Sequence, residues 1–155
     1  MSKLLALLLL LIVAGCASGR GSAEVRRSLG NASATDAFER TRRVLALHRF
    51  EIEHEENTPQ LIMMQSRWLR REPFADELAV GIADAENRVT MTGRFRIQTE
   101  QGPLYAIDLL IERRVVISGQ EGWIDAPPTR AALAHADSVS KQLQRDLQVG
   151  TRRFE

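Results

Sequence analysis

Val89-Thr90-Met91-Thr92-Gly93-Arg94-Phe95-Arg96-Ile97-Gln98, followed by the turn residues Gln101-Gly102-Pro103 and then Leu104 to Val116, is the stretch on which the fold turns. Its odd-numbered positions carry no polar side chain and its even ones are polar, the period of a β-strand with one covered and one wet face. A loop centred on Gly102 sets Ile97 against Ile107 and Phe95 against Leu109, so apolar side chains meet on one side of an antiparallel pair. The other side then brings Arg96 beside Asp108 and Arg94 diagonal to Glu112. Upstream, Leu78, Val80 and Ile82 alternate in the same sense. A four-residue turn at Asp84-Ala85-Glu86-Asn87 pairs Ile82 with Val89 and Val80 with Met91. Both hairpins agree on one buried face, which predicts an antiparallel meander.

Working outward, Phe50-Glu51-Ile52-Glu53-His54-Glu55 also alternates, Asn57-Thr58-Pro59 turns the chain, and Gln60 to Leu69 returns as a second strand. That turn sets Ile52 near Met64 and His54 near Ile62, with Glu53 near Met63 on the opposite face. Glu72 to Glu77, containing Pro73, reads as a loop. Asp36 with Glu39 forms a capping box for a first helix. Its inward face is Phe38, Thr41, Val44, Leu45 and His48, and it ends near His48 or Arg49. After the Gly119–Pro128 irregular stretch, Thr129 caps a last helix striped by Ala132, Leu133, Ala136, Val139, Leu143 and Leu147 and stopped by Gly150. The expected fold is α+β: a two-layer sandwich in which a meander of about five strands carries an N-terminal and a C-terminal helix on one face.

The chain has 155 residues, 44% apolar and 26% charged, with a formal charge of +1. This is one-domain length with enough apolar material for a core. The balanced charge argues against nucleic acid as a partner. Cys16 is the one cysteine, whereas exported domains normally use cysteines in pairs.

The neighbourhood of Cys16 explains it. Lys3 gives a positive start, and Leu4 to Val13 is an unbroken run of ten apolar residues. As a helix that run spans about 15 Å, half of a bilayer core, which suits a signal peptide better than a membrane span. It leads into Val13-Ala14-Gly15-Cys16, which resembles the lipobox of bacterial lipoproteins. The resemblance implies cleavage before Cys16 and acylation of its thiol and amine. Two or three acyl chains, each methylene worth about 0.8 kcal/mol when buried, then hold the protein stably to a bilayer. Ala17 and Ser18 follow with no aspartate to signal inner-membrane retention, so the resemblance implies anchoring at the periplasmic face of the outer membrane. The expected organisation is a signal peptide over 1–15, a lipidated cysteine and flexible Gly/Ser/Ala-rich tether over 16–34, one domain over 35–150, and a tail over 151–155.

Enzyme and metal signals are weak. His48, His54 and His135 show no i, i+4 pairing and no Cys-x-x-Cys exists, so no metal ligand set is expected. Ser66, Ser118, Ser138 and Ser140 lack a nucleophile elbow. Carboxylates such as Glu51, Glu53, Glu55, Asp108 and Glu112 fit a solvated strand face. No cofactor is implied. Arg67, Trp68, Arg70, Arg71 and Phe74 form a basic–aromatic cluster in sequence, a pattern able to grip acidic or phosphorylated groups. Arg113 and Arg114 extend it if they reach the same sheet edge. Ordinary surface arginines paired with local acids account for the same residues. Leu61 and Met63, apolar on the outward face of their strand, hint at a contact surface.

In plan, a lipidated cysteine, a tether and a small α+β domain resemble accessory lipoproteins of envelope assembly, such as those that accompany the β-barrel assembly machine or lipopolysaccharide export. The expectation is a non-catalytic, lipid-anchored module that binds an envelope protein or polymer through the open sheet face or the Arg67–Phe74 loop. The alternative is a carrier holding a lipid or small ligand between sheet and helices, where Gly93 leaves room. An envelope hydrolase ranks third, because the inward positions are nearly all apolar.

Overall fold

The structure is a computed structural model that describes residues 23–151. Cys16, the signal segment and the last four residues of the tail lie outside the described residues. The order of elements is β1 (Glu24–Ser33), α1 (Ala34–Leu47), β2 (Ile52–Asn57), β3 (Leu61–Ser66), β4 (Leu69–Arg71), α2 (Ala75–Ala79), β5 (Ile82–Thr99), β6 (Gly102–Ile117), β7 (Ile124–Asp125) and α3 (Arg130–Thr151). The fold is α+β, but the antiparallel sheet has seven strands rather than about five, in the order β1-β6-β5-β3-β2, with β4 on β5 and β7 on β6. No helix among the described residues is long and apolar enough to cross a membrane.

The central hairpin β5–β6 keeps the expected faces in a different register. Gly93 faces Ile107 and Met91 faces Leu109, four residues away from the expected pairing, because the chain reverses at Glu100-Gln101 and Thr99 already pairs with Gly102. A shift of four is even, so the side chains from Val89 to Phe95 stay on their faces, up to the bulge between Phe95 and Ile97. The particular pairs change: Asp108 lies opposite Thr92, not Arg96, and Glu112 lies opposite Arg88. The turn expected at 84–87 is also corrected, since those residues run inside one unbroken strand. Leu78 belongs to α2, and the chain reverses at Gly81, whose φ of 83° is left-handed and suits glycine.

Residues 24–33, expected within the tether, form strand β1 instead. Glu24–Ser33 pairs with β6 from Glu24–Glu112 to Ser33–Leu104, with a bulge between Ser28 and Gly30. Val25, Leu29 and Ala32 are buried, and the exposed Arg27 is matched by Asp137 of α3 at 2.7 Å. The strand therefore gains both core contacts and an ion pair. Ser33, whose hydroxyl accepts from the Asp36 backbone N–H, caps α1 in place of the expected box.

The β2–β3 pairing also differs. Asn57 faces Ile62, Glu55 faces Met64 and His54 faces Gln65, and a bulge between Ile52 and His54 returns Ile52 to the inner side opposite Ser66. His54 is thus on the outer side and exposed. Turn chemistry explains the shift of three residues, since the Thr58 N–H and hydroxyl both bond Leu61 O and close the hairpin around Pro59-Gln60.

One large apolar cluster joins the inward positions of the strands (Ile62, Met64, Val89, Met91, Ile107, Leu109) to Val44 and Leu45 of α1 and Ala136, Val139, Leu143 and Leu147 of α3. The space opposite Gly93 is filled. A Cβ there would meet Ile62 Cγ1 at 2.6 Å and Ile107 Cδ1 at 2.8 Å, so the glycine admits neighbouring side chains and leaves no room for a ligand. Helix α3 starts where Thr129 and, from α2, Asp76 take its first N–H groups, and it runs to Thr151, one residue past Gly150.

Candidate functional site

Strand alternation divides the expected cluster between two places. Arg71 and Phe74 go inward to a buried ionic knot. Glu77 of α2 is fully buried and receives Arg71 Nη1 at 2.6 Å, Arg113 Nη2 at 2.8 Å and the Phe74 N–H at 2.8 Å. Arg113 spends its remaining donors on Ala126 O and Pro127 O, and the Arg71 guanidinium lies 4.1 Å above the Phe74 ring. Burial pushes the Glu77 carboxyl up, but the Arg71 and Phe74 hydrogen bonds and the two guanidinium charges bring it down to about 2. Both Glu77 oxygens are held by guanidinium groups, so this knot joins β4, α2, β6 and the Ala126-Pro127 segment. The five-residue helix α2 stands where a loop was expected.

Trp68 goes outward. β3 ends at Ser66 and the ladder resumes at Leu69, and Trp68 lies over β5 and β6. Arg88 lies 4.6 Å and Arg114 4.3 Å from its ring, and Arg114 also lies 5.2 Å from Trp123. Each guanidinium is fixed by a carboxylate from the adjoining strand: Arg88 forks onto Glu112 with two contacts of 2.8 Å, and Arg114 reaches Glu86 at 2.6 Å. The bond to Glu112 pushes the Arg88 pKa further up. The result is a half-buried stack, Trp123–Arg114–Trp68–Arg88, whose rings and cations are held in place before any partner arrives.

From this stack a shallow groove continues over β1, β6 and β5 on the same side, lined by Arg26, Ser28, Thr90, Thr92, Arg94 and Asp108 and about 320 Å³ in volume. Gln65 bridges to the Thr90 hydroxyl at 3.0 Å. Asp108 and Arg94 make no ion pair among the described residues. Leu61 and Met63 lie on this side, opposite Arg94 and Thr92, and are half-buried.

The remaining expected residues lie elsewhere. Arg67 is exposed and only 3.9 Å from Glu51, and Arg70 pairs with Asp84 while staying largely in solvent. Arg113 and Arg114 do not share a patch, because neighbours in a strand face opposite ways. Arg88 was missed because it falls just after the presumed turn at 84–87, although it shares the even-numbered face with Thr90, Thr92 and Arg94.

His48 and His135 meet edge to face at 6.0 Å, and His48 Nε2 contacts Gln142 Oε1 at 3.1 Å. Burial, aided by His48 and Arg71, lowers the His135 pKa. Among the described residues no three His, Cys, Asp or Glu side chains are grouped to hold a metal. Ser66 accepts from Val89 N–H and donates to Arg67 O, and Ser140 donates to Ala136 O, so both hydroxyls serve the backbone. No family model matches this chain, and no curated protein matches it.

Proposed function

We propose that this chain is a non-catalytic interaction module of the bacterial envelope, anchored at the periplasmic face, by preference of the outer membrane, through an acylated Cys16. In this reading both long helices cover one side of the sheet and the other side meets an envelope protein or polymer. What supports it is the Trp68 stack. An aromatic ring in contact with two arginines, each already held by a carboxylate, is a rigid recognition element with little ordering left to lose on binding. The adjoining groove adds hydroxyls, Arg94 and Asp108 as donors and acceptors. The anchor half of the reading rests on the Val13–Cys16 motif alone.

The test is in-cell photo-crosslinking from Thr92 in the acylated protein. The reading expects one recurrent adduct, lost in Trp68→Ala and Arg114→Ala at unchanged protein level. An adduct indifferent to both substitutions sinks the docking face. Metabolic labelling with a fatty-acid analogue, absent in Cys16→Ser, tests the anchor separately.

A further inference from the structure

The strand order fixes which end of the domain points toward an anchor. Glu24 opens β1 opposite Glu112 of β6. Eight residue steps separate Cys16 from Glu24, a reach of about 27 Å when fully extended. Toward one end, the β5–β6 ladder continues five residues past Glu112 to Ile82–Ile117, about 17 Å at strand rise. Toward the other end it runs ten residues to the Gly102 turn, about 33 Å. A bilayer holding Cys16 can therefore lie against the Ile82–Ile117 end, whereas it cannot lie against the hairpin turn.

The near end also carries exposed apolar side chains, as the hairpin end does with Phe95 and Ile97, so the reach of the chain decides between them. The ladder closes with Ser118 N–H bonding Gly81 O, and past that point Leu78 and Val80 stand 58% and 65% exposed at the end of α2. Ala79 between them is exposed too. Ile124 of β7, 39% exposed, follows Trp123 at the same end, where β7 takes the β6 edge just beyond the start of β1. Of the nearby charges, Asp84 pairs with Arg70, Glu77 with Arg71 and Arg113, and Glu86 with Arg114, while Glu121 and Asp125, which flank Trp123 and Ile124, are exposed. Exposed aliphatic side chains near a tryptophan suit the headgroup boundary of a bilayer, where the two flanking carboxylates can stay in water.

We infer that the Leu78–Val80 tip, with Ile124, seats in the lipid headgroup boundary, so that the domain stands on end with its β5–β6 turn pointing away from the membrane. This rests on the anchoring reading above. The occupant is the lipid surface itself, engaged through apolar contact.

The experiment uses the acylated mature protein, whose Cys16 thiol is blocked, carrying Val80→Cys or Ile97→Cys with a nitroxide label. Vesicles of phosphatidylethanolamine and phosphatidylglycerol are the probe. At Val80 the label is expected to collide several-fold more with oxygen, and less with a water-soluble nickel chelate, than at Ile97. Adding Leu78→Glu, which leaves the acyl chains in place, should return the Val80 label to water. Equal aqueous exposure at both sites in acylated protein overturns the orientation and leaves the anchor intact, as does immobilisation by a protein partner at Val80. An intact-mass measurement showing no acyl group overturns the anchor, and the orientation with it, before any label is read.

Discussion

Glu77 Oε1 accepts from Arg113 Nη2 at 2.8 Å and from its Nε at 3.1 Å, with 0% and 3% of the two side chains left to solvent. A pair this deep is hard to replace one partner at a time, because the survivor keeps its charge without water. Glu77→Ala is expected to lower unfolding free energy by about 3–5 kcal/mol, read by urea titration at neutral pH. A loss below about 1 kcal/mol would mean the two arginines find other partners.

The same carboxylate sets an acid limit. Its pKa falls from about 4.5 unfolded to about 2 folded, so its stabilisation is complete above pH 4.5 and drains away as pH drops toward 2. Glu77→Gln should flatten the stability curve over that window. An unaltered acid limb in the variant would assign acid sensitivity to other groups.

His135 gives a second, separate window. Burial, His48 and Arg71 disfavour its charged form, so the folded protein binds fewer protons there than the unfolded chain. Stability is full above about pH 6.5 and declines as pH falls through the lowered folded value. His135→Phe should remove the decline that sets in below about pH 6.5 while keeping ring contact with Phe74, now 5.8 Å from His135. Thermal melts across that range decide it.

Gly93→Ala tests packing alone. Its new methyl would press on Ile62 and Ile107 at 2.6 and 2.8 Å, a cost of about 1–3 kcal/mol for an overfilled core. Ile62→Val in the same chain should recover part of it. Wild-type stability in the single variant would mean that the two isoleucines can shift without strain.

Removing the Trp68 ring should behave differently from these core changes. Trp68→Ala is expected to cost roughly 1–2 kcal/mol, two cation–π contacts at a half-buried site, and to shift near-ultraviolet dichroism through Trp123, which shares Arg114. Trp68→Phe should retain most of the stability. Similar losses in both would show that the ring's packing, and not its stack with Arg88 and Arg114, carries the effect.

The apolar alternation of β5 and β6 was legible because the register error was even, and helices α1 and α3 were legible through their stripes and caps. Strand β1 was hidden for a stated cause. Arg27 falls between the buried Val25 and Leu29 yet stays exposed to meet Asp137, and the bulge beside Gly30 breaks the period. The run Asp84-Ala85-Glu86-Asn87 imitates a turn, yet Glu86 and Asp84 are strand residues whose charges meet Arg114 and Arg70. The site was half legible: Trp68 was singled out, but its partners Arg88 and Arg114 come from strands far along the chain, a juxtaposition visible only once the register is known. A bulge between Phe95 and Ile97 likewise separates two side chains that strict alternation places together.

The placement of β1 has a mechanical consequence. Any pull transmitted through the chain ahead of Glu24 runs along a strand joined to β6 by nine partner pairs. Those ladder bonds lie across the strand axis, so tension loads them together in shear instead of peeling them one by one. The domain is thereby clipped to whatever holds its N-terminus by the arrangement that resists force best, with Arg27–Asp137 as an added rivet.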